Sequence, residues 1–311
     1  MLLRKVVAVA AFDCIVIGGG PAGLAAAVYL ARFHLSTAVL DDGRSRTALI
    51  PLARNLPGYT VGIGGRDLLR RMRLQAEGFG ARLLTATVDA VLPGPAGFVV
   101  VAGEACFAAA KVLLATGVAN LPPPMPPDEH DDALRRGLLR YCPVCDGFEM
   151  TDRRVALLGS GAHGIAEAQF MRSYAADVTL VAPHGAHDHD DQERAGLARW
   201  NIATLDGPVE AVVAGRDDIM LRLAGGAHRF DALYAALGTE VRSALARAAG
   251  ADTAEDGAVL VDRHQMTTVE GLYAAGDVVK GLDQIAAAMG QAAIAATAMR
   301  NAICAATPLR R

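Results

Sequence analysis

Phe12-Asp13-Cys14-Ile15-Val16-Ile17-Gly18-Gly19-Gly20-Pro21-Ala22-Gly23 is the stretch that decides the fold. Phe12 to Ile17 reads as a short buried strand, and the glycines follow it at once. Leu24 to Phe33 then carries apolar residues at helical spacing, and Thr37 to Leu40 reads as the next strand, ending in Asp41 and Asp42. Strand, Gly18-x-Gly20-x-x-Gly23, helix, strand and acid is the order of a dinucleotide site. Gly18 permits the tight turn, Gly20 lets backbone approach a pyrophosphate, and the N-terminus of the following helix offers unpaired N–H groups and a favourable dipole. Asp41 falls where an acid is expected on a ribose hydroxyl.

The same unit recurs. Val155 to Leu158 reads as a strand, Gly159-Ser160-Gly161-Ala162-His163-Gly164 as its turn, Ile165 to Tyr174 as a helix and Val178 to Val181 as the following strand. Two copies of one supersecondary unit predict an α/β protein of two Rossmann-like, three-layer nucleotide-binding domains. Between them, Lys111 to Ala115 is a strand ending in the turn Thr116-Gly117, and the proline-rich Leu121 to Pro127 reads as a linker. Gly271-Leu272-Tyr273-Ala274-Ala275-Gly276-Asp277 is a late buried strand, followed by a final helix from about Gln284 to Cys304. Gly290, Ala293 and Ala296 on that helix permit close approach of a backbone or cofactor, or plain helix–sheet packing.

A chain of 311 residues has room for two such domains, and its formal charge of −3, without a basic run, argues against a nucleic-acid partner. No apolar stretch reaches the roughly 18 residues of a membrane span. Met1 to Phe12 faintly resembles a signal peptide, but its apolar core is short and runs directly into the first strand. The five cysteines are an odd number, and Cys14, Cys106 and Cys304 have no near partner in sequence. That is no secreted disulfide framework, and the expected setting is a reducing cytoplasm. Cys14, inside an apolar strand, is expected to be a small core residue.

Cys142-Pro143-Val144-Cys145-Asp146-Gly147 lies between the two fingerprints. A bare CxxC is ambiguous between redox work and half a zinc site. A zinc site needs a second ligand pair, and no further CxxC or spaced Cys/His pair supplies one. Flanked by dinucleotide folds, the pair reads as a redox dithiol. Asp146 is placed to act as general acid for a leaving thiolate, while Asp146-Gly147 also reads as a turn dipeptide.

Taken together, these residues resemble the low-molecular-weight thioredoxin reductase family of flavoprotein disulfide reductases. The likeness spans nearly the whole chain. Gly18 to Gly23, Ala115-Thr116-Gly117, Cys142 to Gly147, the second fingerprint at Gly159 and Ala275-Gly276-Asp277 carry it, and Asn55-Leu56-Pro57-Gly58 looks like the family's loop beside the flavin. The resemblance implies an FAD domain of residues up to about 118 plus those from about 245, with an inserted NAD(P)-type domain, about 119–244, that carries the dithiol. It implies that Asp277 binds the ribityl–phosphate region of FAD and that Gln284, followed by Ile285, lies near the isoalloxazine. It implies Cys145 as the flavin-side sulfur, Cys142 as the interchange thiol, and a homodimer.

The chain departs from the family at one place. NADPH-using members follow the second strand with His-Arg-Arg and a later Arg that grip the 2′-phosphate. Here Val181 leads into Ala182-Pro183-His184-Gly185-Ala186-His187-Asp188-His189-Asp190-Asp191, and no cation appears before Arg194. A fork-shaped cation is the usual device for a phosphate dianion. Gly159, Gly161 and Gly164 are spaced as in NAD sites, yet no carboxylate caps the second strand. Neither NADPH nor NADH is therefore indicated by the residues. The His187 to Asp190 cluster could ligate an ion, but reads better as a solvated acidic loop.

The expected function is an FAD-dependent dithiol–disulfide oxidoreductase acting on a thioredoxin-like protein or a small disulfide. Three alternatives share the same residues: a flavin dithiol oxidase using oxygen, an enzyme reduced by another donor such as a ferredoxin, and a non-enzymatic flavin redox sensor. Glycine and proline near residues 118–125 and 240–248 are compatible with a hinge between the domains.

Overall fold

The computed structural model describes residues 10–94 and 97–306, so most of the signal-like stretch Met1 to Phe12 lies outside the described residues. The chain divides into two compact units. The first takes the chain up to Ala48, Gly65–Ala119 and the chain from Glu240; the second takes Leu49–Gly64 and Asn120–Thr239.

The first unit opens with β1 (Ala10–Ile17), α1 (Pro21–Arg32) and β2 (Thr37–Asp41), then α2 (Gly65–Gly78), β3 (Arg82–Thr85), β4 (Ala90–Gly94), β5 (Gly97–Ala102), β6 (Ala105–Leu114) and β7 (Val118–Asn120). β3, β2, β1 and β6 run parallel in that order. Beyond β6, its first half pairs antiparallel with β5, which pairs with β4. Successive strand residues face opposite sides, which is why the apolar run of β1 is continuous rather than alternating. Ile15 and Ile17 enter a core with Leu40, Val100, Val112 and Leu114, while Val16 lies beneath the α1 glycine Gly23. Cys14 is fully buried in this strand, and burial pushes its thiol far up, which suits an inert core residue.

The second unit carries α3 (Pro127–Arg136), β8 (Leu139–Arg140), the single turn α4 (Pro143–Asp146), β9 (Arg154–Leu158), α5 (Gly161–Met171), β10 (Asp177–Val181), α6 (Asp191–Arg199), β11 (Ile202–Leu205), β12 (Val209–Ala214), β13 (Ile219–Leu223), β14 (Gly226–Phe230) and β15 (Ala232–Ala235). Its parallel sheet has the order β11-β10-β9-β15-β8, and β12-β13-β14 form an antiparallel sheet. Alternation sorts the central strands. Val155, Leu157, Ala232 and Tyr234 enter a core with Ile165, Ala168 and Met171 of α5. Ala156, Leu158, Leu233 and Ala235 enter the opposite core with Leu134 of α3 and residues of β12 and β13. The sheet is thus covered on both faces, which makes three layers. β7 and β16 (Thr239–Val241), the two strands that straddle the unit boundaries and lie mostly in the first unit, form a two-stranded sheet.

The chain then completes the first unit with α7 (Ala244–Ala248), β17 (Leu272–Ala274) and α8 (Ile285–Ala306). β17 pairs parallel with the second half of β6. α8 packs against α1, β6 and β17, and its Ala288, Ala292, Ala295, Ala296 and Met299 are buried. Ala296 therefore serves helix packing, whereas Gly290 is exposed with open space where a side chain would stand.

One segment differs from expectation. Residues 49–64, which contain Asn55-Leu56-Pro57-Gly58, group with the second unit rather than with the FAD segment. Local contacts explain this: Asn55 Nδ2 donates to Val144 O at 3.5 Å, and Arg54 lies 3.7 Å from Glu149.

Candidate functional site

The first glycine turn is shaped by what it excludes. Gly18 has φ +108°, a conformation that favours glycine, and a Cβ there would lie 2.2 Å from the carbonyl oxygen of Ala115. A Cβ on Gly23 would lie 1.9 Å from Gly18 O, so α1 can start close beneath the turn only without one. Pro21 opens α1 with its fixed φ, and Gly20, the N-cap, supplies no side-chain cap to the first N–H groups. An uncapped helix start over a side-chain-free turn fits the pyrophosphate of a dinucleotide.

Folding brings the distant motifs of this unit together. Ala115-Thr116-Gly117 abuts Gly18, and a Cβ on Gly276 would lie 2.8 Å from the Ala22 Cβ. Thr116 Oγ1 donates to Arg242 O at 2.7 Å, and the Arg242 N–H donates to Gly117 O at 3.0 Å. The Gly276 N–H donates to Gln291 Oε1 at 2.8 Å, which ties the Gly276-Asp277 turn to α8. Gln284 stands just before Ile285, the first residue of α8, and its carbonyl accepts from the Ala288 N–H at 2.9 Å.

Asp41 is buried, and its carboxylate is turned back on the turn it follows. Oδ1 accepts from the Gly19 N–H at 2.9 Å, and Oδ2 pairs with Arg73 of α2. Arg46 lies 2.9 Å from Asp277 and 3.3 Å from Asp283. Burial, with the charge of Asp277, pushes the Asp283 carboxyl up to about 6. Arg46, Arg73, Asp283 and Gln291 lie in no motif, so sequence reading had no signal for them.

In the second unit, Cys142 and Cys145 form a disulfide with Cα atoms 5.2 Å apart. Cys142 is the N-cap of α4, and its Sγ accepts from the Cys145 N–H at 3.1 Å. Pro143 sits in the first turn, where its missing N–H costs nothing. The Asp146 carboxyl is held at both oxygens: Arg140 Nη1 donates to Oδ2 at 2.6 Å and Tyr234 OH donates to Oδ1 at 2.8 Å. Burial pushes the Asp146 carboxyl above its ordinary value, while Arg140 and Tyr234 pull it back. On the other side of the pair, Tyr141 OH meets His130 Nε2 at 2.7 Å, and His130 Nδ1 meets Asp131 at 3.1 Å.

The second glycine turn has the backbone of a nucleotide site. Gly161 has φ +59°, a Cβ on Gly159 would lie 2.7 Å from Ala236 O, and one on Gly164 would lie 2.9 Å from Gly159 C. Its N-cap, Ser160, makes no side-chain cap bond. The loop beyond β10 offers little to a 2′-phosphate. Ala182 is buried and His184 is exposed. Arg194 is already engaged with His189 O and, at 2.6 Å, with Asp191. His163 pairs with Glu167 at 3.3 Å, and burial pushes the Glu167 carboxyl up.

In the loop His187 to Asp190 the two aspartates are exposed, and the expectation of a solvated loop is corrected for the histidines alone. The His187 and His189 rings stack at 4.4 Å, and His189 is buried. His187 Nε2 reaches Leu180 O at 3.2 Å, and Asp190 forms a capping box with Glu193 at the start of α6. Ring stacking and the His187–Leu180 contact thus turn the two imidazoles inward, while the aspartates stay in solvent. Among the described residues no group of three or more His, Cys, Asp or Glu is placed to hold a metal, and no helix is long and apolar enough to cross a membrane.

Comparison with known proteins agrees with this geometry. The family model for pyridine nucleotide-disulphide oxidoreductases matches residues 12–292. A thioredoxin reductase from Mycolicibacterium smegmatis is 34% identical over 288 residues, covering 86% of this chain and 88% of that protein. A bifunctional thioredoxin reductase/thioredoxin from Mycobacterium leprae is 34% identical over 284 residues, covering 86% of this chain and 60% of that longer protein. The solved structure of thioredoxin reductase from Streptococcus pyogenes superposes with a TM-score of 0.87 at 25% identity, covering 96% of this chain and all of that one. The fold, the closed dithiol and these relatives agree: the chain belongs to the pyridine nucleotide-disulphide oxidoreductase family, as a flavoprotein oxidoreductase of the low-molecular-weight thioredoxin reductase kind.

Proposed function

We propose that this protein is an FAD-dependent dithiol–disulfide oxidoreductase whose Cys142–Cys145 pair exchanges electrons with a thioredoxin-like protein or a small disulfide. The observation that carries the reading is the Cys142–Cys145 disulfide followed directly by an acid anchored at both carboxyl oxygens. The relative that joins a thioredoxin reductase to a thioredoxin in one chain supports a thioredoxin-like partner. Gly18 to Gly23, Thr116, Gly117, Gly276 and Asp277 would hold the FAD, which supplies a two-electron store.

In the exchange step, a partner thiolate attacks Sγ of Cys142 and forms a mixed disulfide. The Cys142–Cys145 bond breaks, its electron pair stays on Cys145 Sγ, and Asp146 gives that sulfur a proton. In the reverse direction Cys145 attacks the mixed disulfide, Asp146 takes the proton, and the partner thiolate leaves. Cys142 is thus the interchange sulfur and Cys145 the flavin-side sulfur.

The loop after β10 favours a second reading of the electron path. With Arg194 engaged and no cation at Ala182-Pro183-His184, NADPH binds weakly at Gly159, Gly161 and Gly164. A dithiol substrate would then be the donor and oxygen the acceptor, giving a disulfide and hydrogen peroxide. Anaerobic mixing of the yellow protein with NADPH, NADH or a dithiol, followed through flavin bleaching, tests both readings. Bleaching by dithiol with peroxide formed on admitting air supports the oxidase direction. Rapid bleaching by micromolar NADPH overturns the weak-nucleotide reading and supports the reductase direction. The homodimer and the cytoplasmic setting belong to the same proposal; sedimentation tests the first.

A further inference from the structure

Arg140 and Tyr234 reach Asp146 from one place in the fold. They are partners in the parallel pairing of β8 with β15. Paired residues of neighbouring strands point to the same face. Their neighbours Leu139 and Leu233 enter the opposite core. Arg140 and Tyr234 therefore stand side by side on the α5 face, and each takes one oxygen of the same carboxyl.

Both donors are themselves immobilised. Arg140 Nε donates to Gly137 O at 2.9 Å, which fixes the plane of the guanidinium. The Tyr234 ring lies in the core with Val155, Leu157 and Met171, and its hydroxyl also reaches Asp146 O at 3.2 Å. The other groups around Asp146 are few. Glu149 adds negative charge and is paired with Arg54 at 3.7 Å; the Tyr174 ring stands where a side chain on Gly147 would go; the dithiol precedes Asp146 on the same turn.

We propose that Arg140 and Tyr234 are positioning residues for the proton transfer at the dithiol, holding the Asp146 carboxyl in one orientation so that its proton passes to and from Cys145. The inference rests on the dithiol reading above and adds what regulates its acid. Burial raises the Asp146 carboxyl, and the two donors oppose that by favouring the charged form. Loss of either donor keeps the acid protonated to higher pH and releases its orientation.

The test measures reduction of the Cys142–Cys145 disulfide by dithiothreitol in the anaerobic holoprotein, by acid quench, alkylation and mass, across pH. The dithiothreitol rate is referred to its thiolate concentration. In the wild type this rate falls as pH rises through the Asp146 titration. In Arg140→Met and Tyr234→Phe the falling limb moves up by about one pH unit, and the maximum drops about tenfold. Arg140→Lys, which keeps a cation, retains the wild-type limb. A control reaction, the first attack of Cys142 of the reduced protein on an aromatic disulfide, which neither protonates the leaving thiolate nor deprotonates Cys145, stays unchanged in the variants. Equal slowing of both reactions with an unmoved limb overturns the proposal, because it marks a structural role only. If Arg140→Met fails to fold, Tyr234→Phe, which keeps the buried ring, carries the test. Asp146→Asn separates this inference from the reading beneath it: a wild-type profile in Asp146→Asn removes Asp146 as the acid and overturns both, whereas loss of the limb there with no shift in the other variants overturns the positioning alone.

Discussion

Asp277 and Asp283 share one guanidinium: Nη2 of Arg46 lies 2.9 Å from the first carboxylate and 3.3 Å from the second. One cation cannot satisfy two carboxylates fully, and Asp283 carries the imbalance, with its carboxyl pushed up to about 6 by burial and by Asp277.

A raised carboxyl binds its proton more tightly in the folded than in the unfolded chain. Between about pH 6 and its unfolded value near 4, stability therefore falls as pH rises, and the cost is complete above about 6. Asp283→Asn removes that cost. The Asp283 side chain is 38% exposed, so screening reduces the gain to on the order of 1 kcal/mol. Urea unfolding of the apoprotein should show the variant more stable near neutral pH and equal to the wild type at about pH 4. A constant difference across pH would refute the titration.

Gly23→Ala places a Cβ 1.9 Å from Gly18 O, so the turn must open or α1 must retreat. Overpacking of this kind costs about 1–3 kcal/mol. The variant is expected to bind FAD at least about tenfold more weakly, the factor that a loss of about 1.4 kcal/mol at the pyrophosphate gives, and to purify with less flavin per chain. Absorbance after denaturation reads the flavin released. Full flavin content would show that the turn does not cradle the cofactor.

The proposed flavin-side role of Cys145 is tested by Cys142→Ser, which leaves that sulfur as a free thiol. The variant should show a long-wavelength thiolate–flavin charge-transfer band that is absent from Cys145→Ser. A band that follows Cys142 instead reverses the two roles.

The loop beyond β10 lacks a fork-shaped cation, and His184 is exposed and free to be replaced. The double variant Pro183→Arg, His184→Arg should tighten NADPH by about tenfold, the effect of one charge-assisted hydrogen bond of about 1.5 kcal/mol. NADH affinity should stay within about twofold, because it has no 2′-phosphate to meet the new charge. Equal gains for both nucleotides would mean general attraction rather than a phosphate grip. Titration by fluorescence quenching reads both.

The strands and turns of the two glycine units were legible in the sequence because a buried parallel strand must be apolar throughout and a tight turn beneath a helix start must lack side chains. The dithiol and its acid were legible for a similar reason: Cys142, Cys145 and Asp146 lie within one turn of chain. His189 shows the limit of composition. The polar run His187 to Asp190 suggests solvent, and Asp188 and Asp190 are exposed, yet ring stacking with His187 turns the His189 imidazole inward.

The sequence by itself determined the family, the two nucleotide folds and the redox pair, since each depends on residue types at short spacing. Only the tertiary structure decided what surrounds them. Arg140 and Tyr234 are far apart along the chain and meet at Asp146 because β8 pairs with β15 in one register. Gly18, Ala115 and Gly276 come together because β1, β6 and β17 are adjacent strands. Long-range pairing is selected by the burial of whole strand faces, and that sum over many residues leaves no mark at any single position.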